Sequence, residues 1–447
     1  MVAAQSASQP SREQLLAESV ADKLIRYARV NTQSSEESDQ IPSTPGQLRL
    51  AEMLRAELCT LGLTDAAIDE FGFVTATLPS PSQPAPGPDN ETAAPNGTVH
   101  RPGPPIVAFL AHMDTVPGVP AEPVEPMLHA RYAGGDLRLP GAMILVAENP
   151  ALQQVIGHDL ITSDGRTLLG ADDKAGIAEI MVALCRWIQD PTLPRPTIKV
   201  AFTPDEETGR GILHFDVQRF GADVAYTLDG GGIGELEYEN FNAANLTVTF
   251  SGISTHTGTA RGKMINALHL AADFMAAIPA GMRPETTDGR QGFIHPDTVE
   301  GRVEEVQLKL IVRDFDAAGL DAKLTLLHEL ARTLEMRYPG AKVEIRPTGG
   351  YQNMKTILDK QPQVVEAALQ AIRAAGLEPK VVPIRGGTDG AHLTYAGLPT
   401  PNLFTGGMNY HSRTEWVSVQ WMEKAVETIL QLGKWWARQP QLPPSAM

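Results

Sequence analysis

Three short runs of mostly apolar residues organise the first half of the chain: IVAFLAHMD (106–114), TIKVAFTPDE (197–206) and DVAYTLDGG (223–231). Apolar runs this short, without a polar residue at every second position, predict buried strands. Each run closes on acidic or histidine residues. Between the first two, Ile177, Ile180, Met181, Leu184 and Ile188 recur at helical spacing and predict a helix over about 174–189. Strands alternating with helices imply an α/β fold, a domain with a largely parallel central sheet flanked by helices. Amphipathic patterns predict further helices over about 12–29 and from Gly46 to Leu61, the second ending near Gly62.

From about Asn240 the pattern changes. NLTVTFSG alternates as a strand, a helix follows around 265–278, then VEEVQLKLIVRD, a helix around 317–337, and AKVEIRP. This β-α-β-α-β order within roughly 110 residues is the size of a small independent domain. After Gly350 helix, strand and turn signals return (364–375, PNLFTGG, 418–437). The economical reading is one α/β domain, residues 1–239 and 351–447, interrupted by a small α+β domain at 240–350. Residues 79–104 are rich in proline and poor in large apolar side chains, which predicts an exposed, mobile insertion. Strands at about 71–78 and 105–111 flank it and are expected to pair as a long hairpin. Trp435 and Trp436 read as packing or interface residues of the last helix.

Composition narrows the function classes. The chain has 447 residues, 42% hydrophobic and 20% charged, as expected of a folded soluble protein. A formal charge of -16 repels polyphosphates, so nucleic acid is not an expected partner. The longest apolar runs fall far short of the ~20 residues that cross a bilayer, so no membrane is expected. With no signal-peptide pattern at the start, the expected location is cytoplasmic. The two cysteines, Cys59 and Cys185, are too few and too far apart for a disulfide framework and read as buried free thiols.

Chemistry concentrates where a parallel sheet gathers its ligand-binding groups, at the carboxyl ends of the strands. His112 and Asp114 in AHMDT are two apart, so in extended backbone both project to one side. Asp172 and Asp173 in LLGADDKAG precede a helix and, alone, read as a capping pair. Glu206 and Glu207 in FTPDEETG follow Asp205, and alone would be a solvated acidic turn. Asp229 ends TLDGG, and His411 follows a glycine turn in FTGGMNYHSRTEW. Together they deliver imidazole and carboxylate groups to one edge. Bound divalent cations are the simplest relief for so many like charges, and this thiolate-free donor set suits zinc, cobalt or manganese. Apart from His256, the remaining histidines have no such context.

At these residues the chain resembles a known family. AHMDT, TLLGADDKAGIAEIM, FTPDEETGRG, YTLDGG with ELEYENFNAA, and PNLFTGGMNYH occur in the order seen in the peptidase T family, tripeptide aminopeptidases of the dinuclear zinc peptidase and deacylase clan with a lid domain. The resemblance spans about Lys23 to Glu423. It implies two Zn2+ ions per chain, with Co2+ or Mn2+ as substitutes. His112 and Asp229 would ligate one ion, Glu207 and His411 the other, and Asp172 would bridge them. Glu206 would be the general base and Asp114 would orient His112. His256 would stabilise the oxyanion, while Arg313 and Arg385 would hold a substrate carboxylate. Residues 240–350 would form a lid through which a homodimer could assemble. A cis peptide is implied between Asp172 and Asp173. The implied substrates are short peptides, mainly tripeptides.

Two rivals stand beside this reading. A carboxypeptidase, dipeptidase or amide deacylase of the same fold would differ in which end of the substrate meets the metals. A noncatalytic peptide-binding protein would have no need of Glu206 beside a metal-activated water.

Overall fold

The computed structural model describes residues 10–81, 92–93, 99–100 and 103–440, so most of the proline-rich segment lies outside the described residues. The chain divides into two compact units. One comprises Met1–Tyr238, Thr356–Val382 and Thr388–Met447, and the other Glu239–Lys355 with Pro383–Gly387.

The first unit is built on an eight-stranded mixed sheet. Its strands run, edge to edge, Ala67–Ile68, Val74–Leu78, Ile198–Thr203, Val107–His112, Val224–Gly230, Asn402–Phe404, Glu235–Glu237 and Lys380–Val381. The four from Ile198–Thr203 to Asn402–Phe404 are parallel, and the register sets Thr203 beside His112. Val107–His112 is buried along its whole length, which is why its sequence shows a run and no alternation. The strands before and after the proline-rich segment do not form a hairpin. Val74–Leu78 and Val107–His112 both pair with Ile198–Thr203, which lies between them.

The helix Ala171–Gln189 packs on this sheet with Ile177, Ile180, Met181, Leu184 and Trp187 buried. Each such side chain contributes about 1.5–3 kcal/mol when removed from water. Gly176 lets the helix approach the Asp229 strand, since a Cβ there would stand 2.1 Å from the Leu228 carbonyl oxygen. The expected helix over 12–29 is two helices, Arg12–Ala17 and Val20–Ala28. Ser11 and Gln14 form a capping box at the first, and the Ser19 hydroxyl accepts from the Asp22 N–H at 3.1 Å to start the second. Cys185 is buried, whereas Cys59 is exposed, contrary to expectation. Trp436 is buried and donates from Nε1 to the Tyr226 hydroxyl at 3.0 Å.

A small four-stranded sheet in this unit runs Gly407–Met408, Trp416–Ser418, Leu160–Thr162 and Met127–His129. Its first two strands pair antiparallel and enclose the loop 409–415, which carries His411.

The second unit is an antiparallel sheet in the order Phe293–Gly301, Glu305–Asp314, Asn242–Ser251 and Lys342–Tyr351, with helices Ala267–Ala277 and Ala317–Arg337. Glu305–Asp314 alternates buried and open positions, and Val306, Leu308, Leu310 and Val312 meet Phe250, Leu270, Phe274 and Leu327 in its core. Phe293–Gly301 was not expected. It is an edge strand interrupted by Pro296, with a register shift between Pro296 and Thr298, and proline hides such strands from a periodicity reading.

Candidate active site

The carboxyl ends of the parallel strands deliver the first groups. His112 closes its strand with Nδ1 at 3.1 Å from the Asp114 carbonyl oxygen and 3.4 Å from Asp114 Oδ1. A proton held on Nδ1 by these acceptors turns Nε2 toward Asp172 Oδ1 at 2.9 Å and Asp229 Oδ1 at 3.5 Å. Asp229 lies at the end of Val224–Gly230, and its Oδ2 is 3.4 Å from the Thr388 hydroxyl.

Asp172 sits where Ala171–Gln189 begins, outside helical dihedrals, and the Asp172–Asp173 peptide is cis. Asp173 behaves as the capping reading expects, accepting from the Gly176 N–H at 3.2 Å, and also accepts from the His112 N–H at 3.0 Å. His411 reaches the same place from the loop 409–415. It occupies the left-handed region at φ 56 and sets Nε2 3.0 Å from Asp172 Oδ2.

The paired glutamates are held by their backbone. Asp205 adopts φ 52, a left-handed conformation that non-glycine residues keep only where neighbours enforce it. Here the enforcement is visible. Its carboxylate accepts from the Ser43 N–H at 2.6 Å, the Ser43 hydroxyl and Gln47 Nε2 at 2.7 Å, while its own N–H donates to Gln47 Oε1 at 3.0 Å. Fully buried Asp114 then accepts from Glu206 N–H at 3.0 Å and Glu207 N–H at 3.2 Å. Asp114 therefore ties the histidine strand to the glutamate turn, more than orienting a single imidazole. Glu207 Oε1 lies 3.0 Å from His411 Nε2, whose hydrogen bond goes to Asp172 Oδ2, and this buried oxygen has no other polar partner among the described residues.

Electrostatics explain what this arrangement lacks. Burial, then the Asp229 charge, raises the Glu206 carboxyl well above the usual range. Burial, then Asp172, pushes Glu207 up to about 7. Burial also raises Asp229. Burial would likewise raise Asp172, but its contacts with His112 and His411 outweigh that and leave it below the ordinary value. His411 rises to about 10 through Asp172 and Glu207. The cluster thus holds more negative charge than its imidazoles neutralise. Candidate ligand atoms of His112, Asp172 and Glu207 lie within 4.8 Å of one another, as do those of His112, Asp173 and Asp229. A set of oxygen and imidazole donors with a buried, unpaired carboxylate oxygen fits divalent cations.

Several groups escaped sequence reading. Asp389, after the N-cap Thr388 of Asp389–Tyr395, accepts from the Thr203 hydroxyl at 2.7 Å, and burial pushes it to about 7. Glu415 is buried and accepts from three backbone N–H groups, Leu169 at 2.7 Å, Gly170 at 2.8 Å and Asp172 at 3.0 Å. Buried Lys174 donates to the Val30 carbonyl at 2.9 Å. The LGADDKAG motif contained a signal for Lys174. None marked Glu415.

His256, Arg313 and Arg385 belong to the second unit. His256 is exposed, with Nδ1 accepting from the Gly258 N–H at 3.2 Å. Arg385 is engaged within its unit, donating to the Gly289 and Gln291 carbonyls at 2.6 and 3.1 Å and lying over Phe241 at 5.2 Å. Arg313 lies over Tyr351 at 5.4 Å and keeps a buried Nε without a partner among the described residues. Of the two arginines, Arg313 has the less committed guanidinium.

Comparison with known proteins gives the lineage. Residues 162–434 match the peptidase family M20/M25/M40. The chain is 46% identical over 415 residues to peptidase T from Shouchella clausii, covering 93% of this chain and 97% of that protein. It is 44% identical over 417 residues to peptidase T from Vibrio parahaemolyticus, covering 93% and 98%. The fold matches aminopeptidase PepT from Bacillus cereus (TM-score 0.69, 23% identity, 96% and 100% covered) and a tripeptidase from Staphylococcus aureus (TM-score 0.70, 20% identity, 97% and 100% covered). A dinuclear metal-binding M20 peptidase from Bacillus subtilis shares it at TM-score 0.58 and 14% identity, with 93% and 96% covered. The chain belongs to the M20/M25/M40 peptidases and, within them, to peptidase T, a family of metallopeptidases.

Proposed function

We propose that this chain is a dinuclear zinc aminopeptidase that releases the N-terminal residue of tripeptides. The observation that carries the reading is the convergence of His112, Asp172, Glu207, Asp229 and His411 beside Glu206, from five separate segments of the chain. His112 and Asp229 would hold one ion, Glu207 and His411 the other, and Asp172 both. Bound there, the ions would supply Lewis-acid activation of a water and of the scissile carbonyl.

The chain's own groups do the rest. Glu206, next to Glu207 on the same turn, makes no side-chain hydrogen bond among the described residues, so its carboxylate is free to take the proton of the water and pass it to the leaving amine. Asp114 fixes the backbone of both glutamates. His256 would stabilise the developing oxyanion, and Arg313, with Arg385, would hold the substrate carboxylate, for which a guanidinium fork is suited.

The first unit would be the zinc-binding catalytic domain. The second would serve as lid and dimerisation domain; its sheet has one face covered by helices, while Asn245, Gln307, Lys309 and Glu344 on its strands are exposed. The location proposed is the cytoplasm, and no helix among the described residues is long and apolar enough to cross a membrane.

The test is metal content alongside product analysis for di-, tri- and tetrapeptides. Two ions per chain and loss of the N-terminal residue from tripeptides are expected. Asp172→Asn, which removes charge from both sites, should lower occupancy of both ions and abolish turnover. Two tightly held ions and normal turnover in that variant would refute the bridging assignment.

A further inference from the structure

We propose that Glu415 is a positioning residue that sets the reach of Asp172, a reading that rests on the dinuclear site proposed above. Three observations carry it. Glu415 is buried, at 1% exposure, and spends its carboxylate on backbone: Oε2 accepts from the Leu169 and Gly170 N–H groups, and Oε1 from the N–H of Asp172 itself. The segment it grips is the turn into Ala171–Gln189, where Asp172 departs from helical dihedrals and its N–H has no partner within the helix. Finally, Glu415 closes the loop 409–415 that carries His411, whose Nε2 is 3.0 Å from Asp172 Oδ2.

One loop therefore holds Asp172 twice, by its side chain through His411 and by its backbone through Glu415. Charge-assisted bonds to backbone are short and directional. A carboxylate on three amides leaves the bridging side chain little freedom to drift toward one ion. No other described side chain accepts from these three N–H groups, so Glu415 alone supplies that restraint.

Glu415→Gln isolates the contact that matters. Its amide oxygen can still take the Leu169 and Gly170 N–H groups, while its NH2 faces the Asp172 N–H, donor against donor. In the full-length enzyme, zinc affinity is measured by equilibrium dialysis against buffered zinc. Tripeptide kcat and KM, and melting of the metal-free and zinc-loaded protein, are measured in parallel. The expected result is a loss of about 10–100-fold in affinity for the weaker-held ion and in kcat, with KM within about twofold. The zinc-dependent rise in melting temperature should shrink. Glu415→Asp, too short to span all three amides, should show the same pattern.

If Glu415→Gln binds both ions with wild-type affinity and merely melts lower by the same amount with and without zinc, Glu415 is structural and the proposal falls. If the wild-type enzyme binds fewer than two ions, the dinuclear reading fails first and takes the proposal with it. The wild-type stoichiometry separates the two failures.

Discussion

Asp114→Asn is the most informative single change at the candidate site. The native carboxylate is fully buried and accepts from the Glu206 and Glu207 N–H groups at 3.0 and 3.2 Å, with Oδ1 3.4 Å from His112 Nδ1. Asparagine keeps the shape and one acceptor oxygen, but its NH2 must face one of these donors. A charge-assisted bond becomes a repulsive contact in a dry place, and stability should fall by about 2–3 kcal/mol. The catalytic effect is separate. Releasing one glutamate amide lets the turn that carries the proposed base and the proposed ligand shift, and groups that support metal ligands typically cost 10–100-fold in affinity or activity when altered. The assay is tripeptide kcat with zinc content and thermal melting on one preparation. A melting temperature that falls while kcat and zinc content stay at wild-type values would refute the reasoning and reduce Asp114 to a cap.

Glu206→Gln should keep both ions and lose about 10²-fold or more in turnover, whereas Glu207→Gln should lose affinity for one ion; if metal analysis shows the reverse, the two roles are exchanged. Glu18 should contribute to stability in a pH-dependent way. Burial would raise its carboxyl, but its bonds to Arg26 and the nearby Lys23 outweigh that and lower it. Its contribution is therefore present above the ordinary carboxylate range and lost as pH falls through the lower folded value. Glu18→Gln should be about 1 kcal/mol less stable near neutrality, and chemical denaturation should show the gap from wild type narrowing as pH falls below about 4 and closing only below the lowered folded value. Phe250→Ala empties a fully buried position whose ring sits 5.3 Å from that of Phe274. It should destabilise the second unit by about 3–5 kcal/mol, read by proteolysis at bonds within 239–355.

The parts of the fold that were legible are those whose pattern is local. The Val107–His112 run is buried on both faces and reads as a run, and Glu305–Asp314 is buried on one face and alternates. Elements of two or three residues, such as Gly407–Met408 and Trp416–Ser418, are too short to carry a period. Neighbours in sequence also misled: the strands before and after the proline-rich segment are separated by Ile198–Thr203, because hydrogen-bond partners are chosen by the sheet and not by adjacency. At the site, charged residues at strand ends were visible because their chemistry is unusual there. Glu415 was invisible because its partners are backbone N–H groups over 240 residues earlier, and backbone leaves no trace in composition. Asp205 was read as part of an acidic turn, and only the Ser43 and Gln47 contacts explain why that turn holds its shape.

The strand order has a consequence for how the protein is made. Every strand of the four-stranded sheet in the second unit lies between Asn242 and Tyr351, so its hydrogen bonds can all form once that stretch has left the ribosome. The larger sheet must wait. Asn402–Phe404 inserts between Val224–Gly230 and Glu235–Glu237, so before the last tenth of the chain is synthesised these two strands face a gap with unpaired edges. His411 emerges later still. A nascent chain therefore completes its interior sheet first and its framework last, and nothing short of a nearly full-length polypeptide can assemble all five candidate ligands.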